Sequence, residues 1–446
     1  KGMFTMAKIR DGSTYLGQHL PANDYYCEHE SVTGQWVGRA AERLGLSGEI
    51  RGGDVAFENL RNNRLPDGRG KLTPRDGADR IRFYDFQCSA PKSVSIMAVT
   101  LGDERLLAAH DRAAAVAFAE LEKFAATQAN TALARKNRLT ANVVAGKFRH
   151  TASRALDPQV HTHHVTANGT WDEVSAEWRA LTEFEMLRAI RYAGKVYQNE
   201  LARSCRELGY PVVETRDARG TVTGFEITGV DESIRERFSK RRAEIGGGIE
   251  NFVGKHGRVP STAEVHAITV ETRGVKLRES TTPAVLAAQR AQFSGEEWVR
   301  LVALREQAQA TSDATLAGVP RERESVRRAV GHLFERRSVA VGHELAAESL
   351  NQNLGYLELH GLHSQLSRAG VVNLTGEPLL HAQYATPRGL ALERWSLGFA
   401  ERTRGKFPQL AGSEKLDKML SPDQREAAEK ILSNRDQVVC LRGAAG

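Results

Sequence analysis

The chain has 446 residues, 41% of them hydrophobic and 26% charged, the make-up of a soluble globular protein with room for roughly two to four domains. No apolar run reaches the length of about 18 residues that a transmembrane helix needs, and the opening KGMFTM is not a signal peptide. Four cysteines (Cys27, Cys88, Cys205, Cys440) stand singly, which excludes a zinc ribbon or a disulfide framework and fits a reducing cytoplasm, while a net charge of +7 leans towards a polyanionic partner.

Residues 81–89 (IRFYDFQCS) alternate well enough for a strand, which Ala90-Pro91 stops; residues 92–100 (KSVSIMAVT) continue as a strand or begin a helix. Residues 104–130 place apolar or small side chains at Leu107, Ala108, Ala114, Ala117, Phe118, Leu121, Phe124 and Ala125, which predicts an alanine-rich amphipathic helix. Residues 139–148 and 160–167 are β-branched runs joined by the polar loop TASRALDPQ, with its turn at Asp157-Pro158. Residues 182–208 predict two helices ending at Gly209, and Arg219-Gly220 separates two short strands, 212–215 and 223–227. Gly246-Gly247-Gly248 predicts a flexible joint, and the first domain is expected to finish by about Glu279. Residues 280–446 are read as mostly helical, with breaks at 312–320 and near 406–415.

His150, His161 and His163 carry the strongest chemical signal. Alternation along a strand puts His161 and His163 on one face and His164 on the other. If the two β-branched runs pair as neighbours, His150 lies across from that same face. Three imidazoles then converge and leave coordination positions open, as a catalytic metal site requires and a closed structural site does not. An isolated HxH is ordinarily a solvated strand edge; the third histidine reverses that reading. By intrinsic preference three imidazoles suit zinc, copper or nickel better than magnesium. Tyr15 and the pair Tyr25-Tyr26 fall in one short segment. A phenol with a pKa near 10 is a poor nucleophile unless a metal activates its electrophile or a base takes its proton. Taken singly, each tyrosine is an ordinary packing or surface residue.

Together these stretches resemble the MobF (TrwC/TraI-like) conjugative relaxases of the HUH endonuclease superfamily. The matching segments are Tyr15 with Tyr25-Tyr26, DFQCSAPKSVS (85–95), FRH (148–150) and DPQVHTH (157–163), with RYAGKVYQ (191–198) and FSKRRAEI (238–245) also similar, over essentially all of residues 7–278. The resemblance implies an α+β fold, an antiparallel sheet with the histidines on central strands, flanking helices and a helical flap from residues 234–278. It implies that His150, His161 and His163 hold a divalent metal, Mg²⁺ or Mn²⁺, on the scissile phosphate. Tyr15 would attack to give a 5′-phosphotyrosine adduct and a free 3′-hydroxyl, Tyr25 or Tyr26 would serve the later strand transfer, and Asp85 would orient a metal-bound histidine or help take the phenolic proton. Many members carry a Tyr-Tyr pair at the first element; here Leu16 follows Tyr15, which leaves Tyr15 as the sole candidate there. Lys92, Arg149, Arg154, Arg191 and Lys195 are candidate phosphate contacts, and Trp36 or Trp171 could stack on bases.

The implied partners are single-stranded DNA at an origin of transfer, accessory nicking proteins and a type IV secretion coupling protein, for a monomer without membrane insertion in the bacterial cytoplasm. Towards the end, LSPDQ with Gln424 resembles the superfamily 1 helicase element whose glutamine contacts adenine. The strand running into Gly443-Ala-Ala-Gly446 is how a P-loop begins. The expected organisation is therefore a relaxase domain over 1–278, a mainly helical pre-helicase region over 279–418, and the start of a helicase motor over 419–446, truncated within the P-loop and without ATPase activity. Three rivals stay open: a rolling-circle replication initiator of the HUH class, which normally places its tyrosine after the histidines; a non-catalytic single-stranded DNA-binding module of a helicase; and a metal-dependent nuclease that activates water and leaves no covalent adduct.

Overall fold

In the computed structural model the described residues are 4–10, 33–77, 79–130, 135–153, 155–272, 282–311, 321–410 and 420–440. Tyr15, Tyr25, Tyr26, Arg154, Gly443 and Gly446 lie outside them.

The strands come in chain order as β1 (Phe4–Ile9), β2 (Gly34–Val37), β3 (Glu49–Ile50), β4 (Phe83–Ser89), β5 (Ala126–Asn130), β6 (Arg135–Leu139), β7 (Ala145–Ala152) and β8 (Pro158–Ala167). Six of them form one antiparallel sheet in the order β1-β4-β8-β7-β2-β3, so β8 and β7 are central. Period-2 alternation gives this sheet two different faces. On the first face, Phe83, Phe148, Val165 and Ala167 pack with Ile9, Ala40, Phe57 and Leu60 in a buried apolar core. The ring of Phe57, from the helix α2 (Val55–Arg61) that follows the short α1 (Arg39–Arg43), stacks on Phe83 at 5.1 Å and meets Phe148 edge-on at 5.9 Å. Gly146 is required there, since a Cβ on it would stand 2.7 Å from the Phe148 ring.

The second face is covered by α4 (Glu104–Glu122) and α5 (Phe184–Glu207). The Phe118 ring of α4 stacks on His164 at 4.2 Å and 6°. Between β4 and α4, the SAPKSVS segment turns at Pro91 into α3 (Lys92–Ser95), followed by one wide helical turn over Ile96–Thr100. The helix expected over 104–130 stops at Glu122, and 126–130 is the strand β5, paired with β6 and with β11 (Leu181–Thr182) after the hairpin β9 (Thr170–Asp172) and β10 (Glu177–Arg179). The run 139–148 is divided: β6 ends at Leu139 and β7 begins at Ala145, with Ala141 at φ 53° in the connection. Residues 182–208 give one helix, not two, and the hairpin β12 (Val212–Arg216) and β13 (Val222–Ile227) follows as expected.

The glycine triplet is not a joint. After α6 (Glu232–Arg237), it lies inside α7 (Lys240–His256), which ends at Gly257 with φ 64° and is followed by α8 (Thr262–Glu271). The close approach of α8 accounts for Gly248: a Cβ there would meet Ile268 Cγ2 at 2.6 Å. The helices α9 (Thr282–Arg290) and α10 (Gly295–Ala310) come next.

The chain divides into two compact units. The first is Lys1–Ala329 with His343–Leu366, so it runs past the boundary expected at residue 278. The second is Val330–Gly342 with Ser367–Gly446, and holds an antiparallel sheet of Ala340–Val341, Gln383–Ala385 and Val372–Asn373 with helices Pro387–Thr403 and Pro422–Ser433. Among the described residues no helix is long and apolar enough to cross a membrane.

Candidate metal centre

On β8, His161 and His163 share the first face of the sheet and Thr162 and His164 the second. His150 is the direct cross-strand partner of His161, so its side chain leaves β7 on the same side. The ring centres stand 5.1 Å apart for His150–His161, 5.3 Å for His150–His163 and 5.2 Å for His161–His163. An imidazole ligating through nitrogen at about 2.0–2.1 Å puts its ring centre about 3.2 Å from the ion, and rings at tetrahedral angles then stand about 5 Å apart. The observed triangle has that size. Among the described residues no three donors are already gathered as a complete metal cage.

Two neighbours set the tautomer of two of these rings. His163 Nδ1–H donates to Asp85, at 2.8 Å to Oδ2 and 3.0 Å to Oδ1, and Asp85 is itself buried. His161 Nδ1–H donates to the Gln159 carbonyl at 3.0 Å. Each contact places the proton on Nδ1 and leaves the lone pair on Nε2, the form of histidine that binds metals. The register also brings two residues that the sequence reading passed over to this face: Gln87 lies opposite His163 and Ser89 opposite His161, both half-buried. The alternation that selects Asp85 would have selected them too.

Behind the sheet two buried histidines are held neutral, one bonded through both ring nitrogens and the other, His164, with its Nδ1 unpaired. His110 is fully buried between Tyr197 OH and Thr162 Oγ1, both at 2.7 Å, and burial lowers its pKa to about 3. Burial acts the same way on His164, also lowered to about 3, which faces away from the three rings.

A TrwC relaxase family model matches residues 9–295, more than half of the chain. The chain belongs to the TrwC relaxase family. It is 39% identical over 237 residues to the multifunctional conjugation protein TraI of Escherichia coli, and 38% identical over 216 residues to the TraI of E. coli strain K12. Those matches take in 51% and 47% of this chain, which thereby spans only 13% and 12% of the two relatives. Among solved structures it is similar to the copper-bound conjugative relaxase TrwC in complex with oriT DNA, with TM-score 0.55 and 31% identity over 65% of this chain and 96% of that one. TrwC complexed with a 27-mer DNA comprising the recognition hairpin and the cleavage site matches equally, with TM-score 0.54 and 31% identity over 65% and 96% of the two chains.

Within this relaxase fold the basic residues expected to meet phosphate divide sharply. Arg149 precedes His150 in β7, so its side chain goes to the opposite face, where it pairs with Asp111 of α4. Lys195 is buried in α5, with Nζ donating to Gln198 Oε1 at 3.1 Å and to the Val222 carbonyl at 2.9 Å; burial lowers its pKa to about 8. Lys92 Nζ donates to the Pro158 carbonyl at 2.9 Å, and burial lowers it, too, to about 8. Each of these three side chains is engaged within the fold. Arg191 is exposed on α5. Trp36 packs against the apolar core, and Trp171 is capped by the Arg43 guanidinium 3.9 Å above its ring. Gln424 closes a capping box at the start of Pro422–Ser433, its Oε1 accepting from the Ser421 amide at 3.0 Å.

Proposed function

We propose that this relaxase nicks and religates one DNA strand at an origin of transfer, through metal-dependent tyrosine transesterification that initiates conjugative transfer. The observation that carries the reading is the triangle of His150, His161 and His163, with Asp85 on the outer nitrogen of His163. A divalent ion held by these rings, Mg²⁺ or Mn²⁺ in the cell, would neutralise charge on the non-bridging oxygens of the scissile phosphate. Copper-bound and metal-bound forms of TrwC with oriT DNA support a bound metal in the reaction.

The remaining chemistry belongs to the protein. Asp85 keeps the His163 ring turned and protonated at Nδ1, and its negative charge raises the basicity of that ligand. The Tyr15 oxygen forms a bond to phosphorus as the P–O3′ bond breaks, so the products are a 5′-phosphotyrosine and a 3′-hydroxyl, the phenolic proton leaving to a nearby base. Tyr25 or Tyr26 repeats the attack in the later strand transfer. The helix pair α7–α8, with Arg241, Arg242 and Lys255 on it, supplies the flap over the DNA. Accessory nicking proteins and a secretion coupling protein are the expected partners of a monomer in the bacterial cytoplasm, with residues 419–446 opening a helicase motor.

The test is a denaturing gel of the protein incubated with Mn²⁺ and a labelled single strand spanning its own origin of transfer. A covalent protein–DNA band that Tyr15→Phe abolishes is the expected result. Cut DNA without an adduct points to a hydrolase, and intact DNA under those conditions removes the nicking activity altogether.

A further inference from the structure

The first residues of β8 lie where the sheet gives least support. On the β4 side the regular ladder runs out at Ser89↔His161, because Ala90-Pro91 leaves the strand and proline has no N–H to pair. On the β7 side the register shifts between His150 and Ala152. His161 therefore stands at the end of the regular β4 ladder and beside the irregularity in the β7 ladder, which resumes at Ala152↔Pro158, and its Nδ1 donates to the carbonyl of Gln159, two residues back.

The SAPKSVS turn replaces the missing strand. The Ala90 amide donates to the Val160 carbonyl at 2.9 Å. The Val160 amide donates to Ser95 Oγ at 3.0 Å, while the Ser95 hydroxyl proton goes to the Pro91 carbonyl at 3.1 Å, which fixes the direction of both bonds. Lys92 Nζ takes the Pro158 carbonyl at 2.9 Å. Gln159 is thus clamped at the residue before it and the residue after it. Ser95 is wholly buried, and a buried hydroxyl with both roles used leaves little freedom to what it holds.

We propose that Ser95, assisted by Lys92, is a positioning residue for His161: it holds the Gln159 peptide so that its carbonyl fixes the Nδ1–H tautomer and turns Nε2 towards the metal position. The inference rests on the reading of His161 as a metal ligand. Both act through the Gln159 peptide. Ser93 supplies the internal comparison, an equally buried hydroxyl of the same motif that accepts from the Ile227 amide at 2.7 Å and so braces β13 instead of β8.

The experiment compares the full chain with Ser95→Ala, Ser93→Ala and Lys92→Met, by two measurements. Nitrogen-15 spectra of the metal-free protein report the histidine tautomers, and calorimetric titration with Mn²⁺ reports affinity. In the unsubstituted chain His161 is expected wholly as the Nδ1–H tautomer. Ser95→Ala is expected to mix the tautomers and to weaken Mn²⁺ binding about tenfold or more, the usual effect of losing an outer-shell partner. Ser93→Ala lowers the melting temperature but leaves both readouts unchanged. Should Ser95→Ala not fold, Lys92→Met carries the same comparison. Unchanged tautomer and affinity in Ser95→Ala, or a Ser93→Ala protein that behaves identically to it, overturns the proposal. If the unsubstituted chain binds no Mn²⁺, the metal reading fails on its own, and the tautomer spectra still decide the positioning role.

Discussion

His110 and His164 stand behind the strand that carries His161 and His163, and burial holds both neutral, with pKa values lowered to about 3. An unfolded histidine takes a proton near pH 6.5, so between that point and pH 3 the unfolded chain binds protons that the folded chain refuses. The stability contributed by a neutral buried imidazole is therefore complete above pH 6.5 and is lost as the pH falls towards 3. For His110 the loss between pH 6.5 and 5 comes to about 2 kcal/mol. His110→Gln keeps a donor and an acceptor for Tyr197 and Thr162 and removes the titration. Whatever it costs at pH 7, its melting midpoint should fall less than that of the unsubstituted chain when both are moved to pH 5. Equal drops would mean that His110 is not kept neutral in the fold.

At the level of elements, α7 carries its glycines in two different situations. A methyl group on Gly246 or Gly247 meets no atom within 4 Å, whereas one on Gly248 comes to 2.6 Å from Ile268 Cγ2 on α8. Alanine at the first two positions should stabilise the helix by about 0.5–1 kcal/mol each, and alanine at the third should separate the pair. Hydrogen exchange over 240–256 reads both signs: slower for Gly246→Ala and Gly247→Ala, faster for Gly248→Ala. Uniform slowing would show that α8 does not rest on Gly248. The triplet illustrates what a sequence can and cannot reveal, since flexibility was read from composition while the packing partner lies about 20 residues on, in α8. Likewise, nothing in ATQAN departs from the alanine-rich helix before it; its strand state comes from pairing with β6 and β11, a tertiary decision. The histidine face, by contrast, was legible because HxH has the period of a strand and His150 needed only the hairpin to oppose it. The same period condemns Arg149 as a partner on that face, an inference available from its place beside His150 alone. The role of SAPKSVS was not available, because it depends on where β8 ends. The tyrosines lie outside the described residues.

On the scale of the molecule, the first compact unit does not close at residue 278, nor at residue 295 where the family match stops, but takes in His343–Leu366. The reason is visible in α5. Eight consecutive residues, Tyr192 to Asn199, are all buried, which a helix covered on a single side cannot achieve. The sheet covers one side, and the segment His343–Leu366 lies on another. Asn199 Nδ2 donates to the Leu357 carbonyl at 2.8 Å and its Oδ1 accepts from the Gly355 amide at 2.9 Å. Tyr192 OH donates to Glu120 at 2.9 Å and stands 2.9 Å from His363 Nε2, while Arg206 and Arg321 approach the Tyr356 ring to 4.0 and 3.9 Å. Gly355, at φ 79°, comes so close to α5 that a Cβ on it would stand 2.7 Å from that of Ala202. Cutting after residue 278 strips this cover and leaves Asn199 without its two backbone partners, keeping only Glu200, at a cost of about 1–3 kcal/mol before any apolar exposure is counted. A fragment of residues 1–366 should therefore melt several degrees above a fragment of residues 1–278, and the shorter one should bind a hydrophobic dye that the longer one does not. Coincident melting curves would place the functional boundary back at the end of the flap and reduce His343–Leu366 to a neighbour that merely rests against α5.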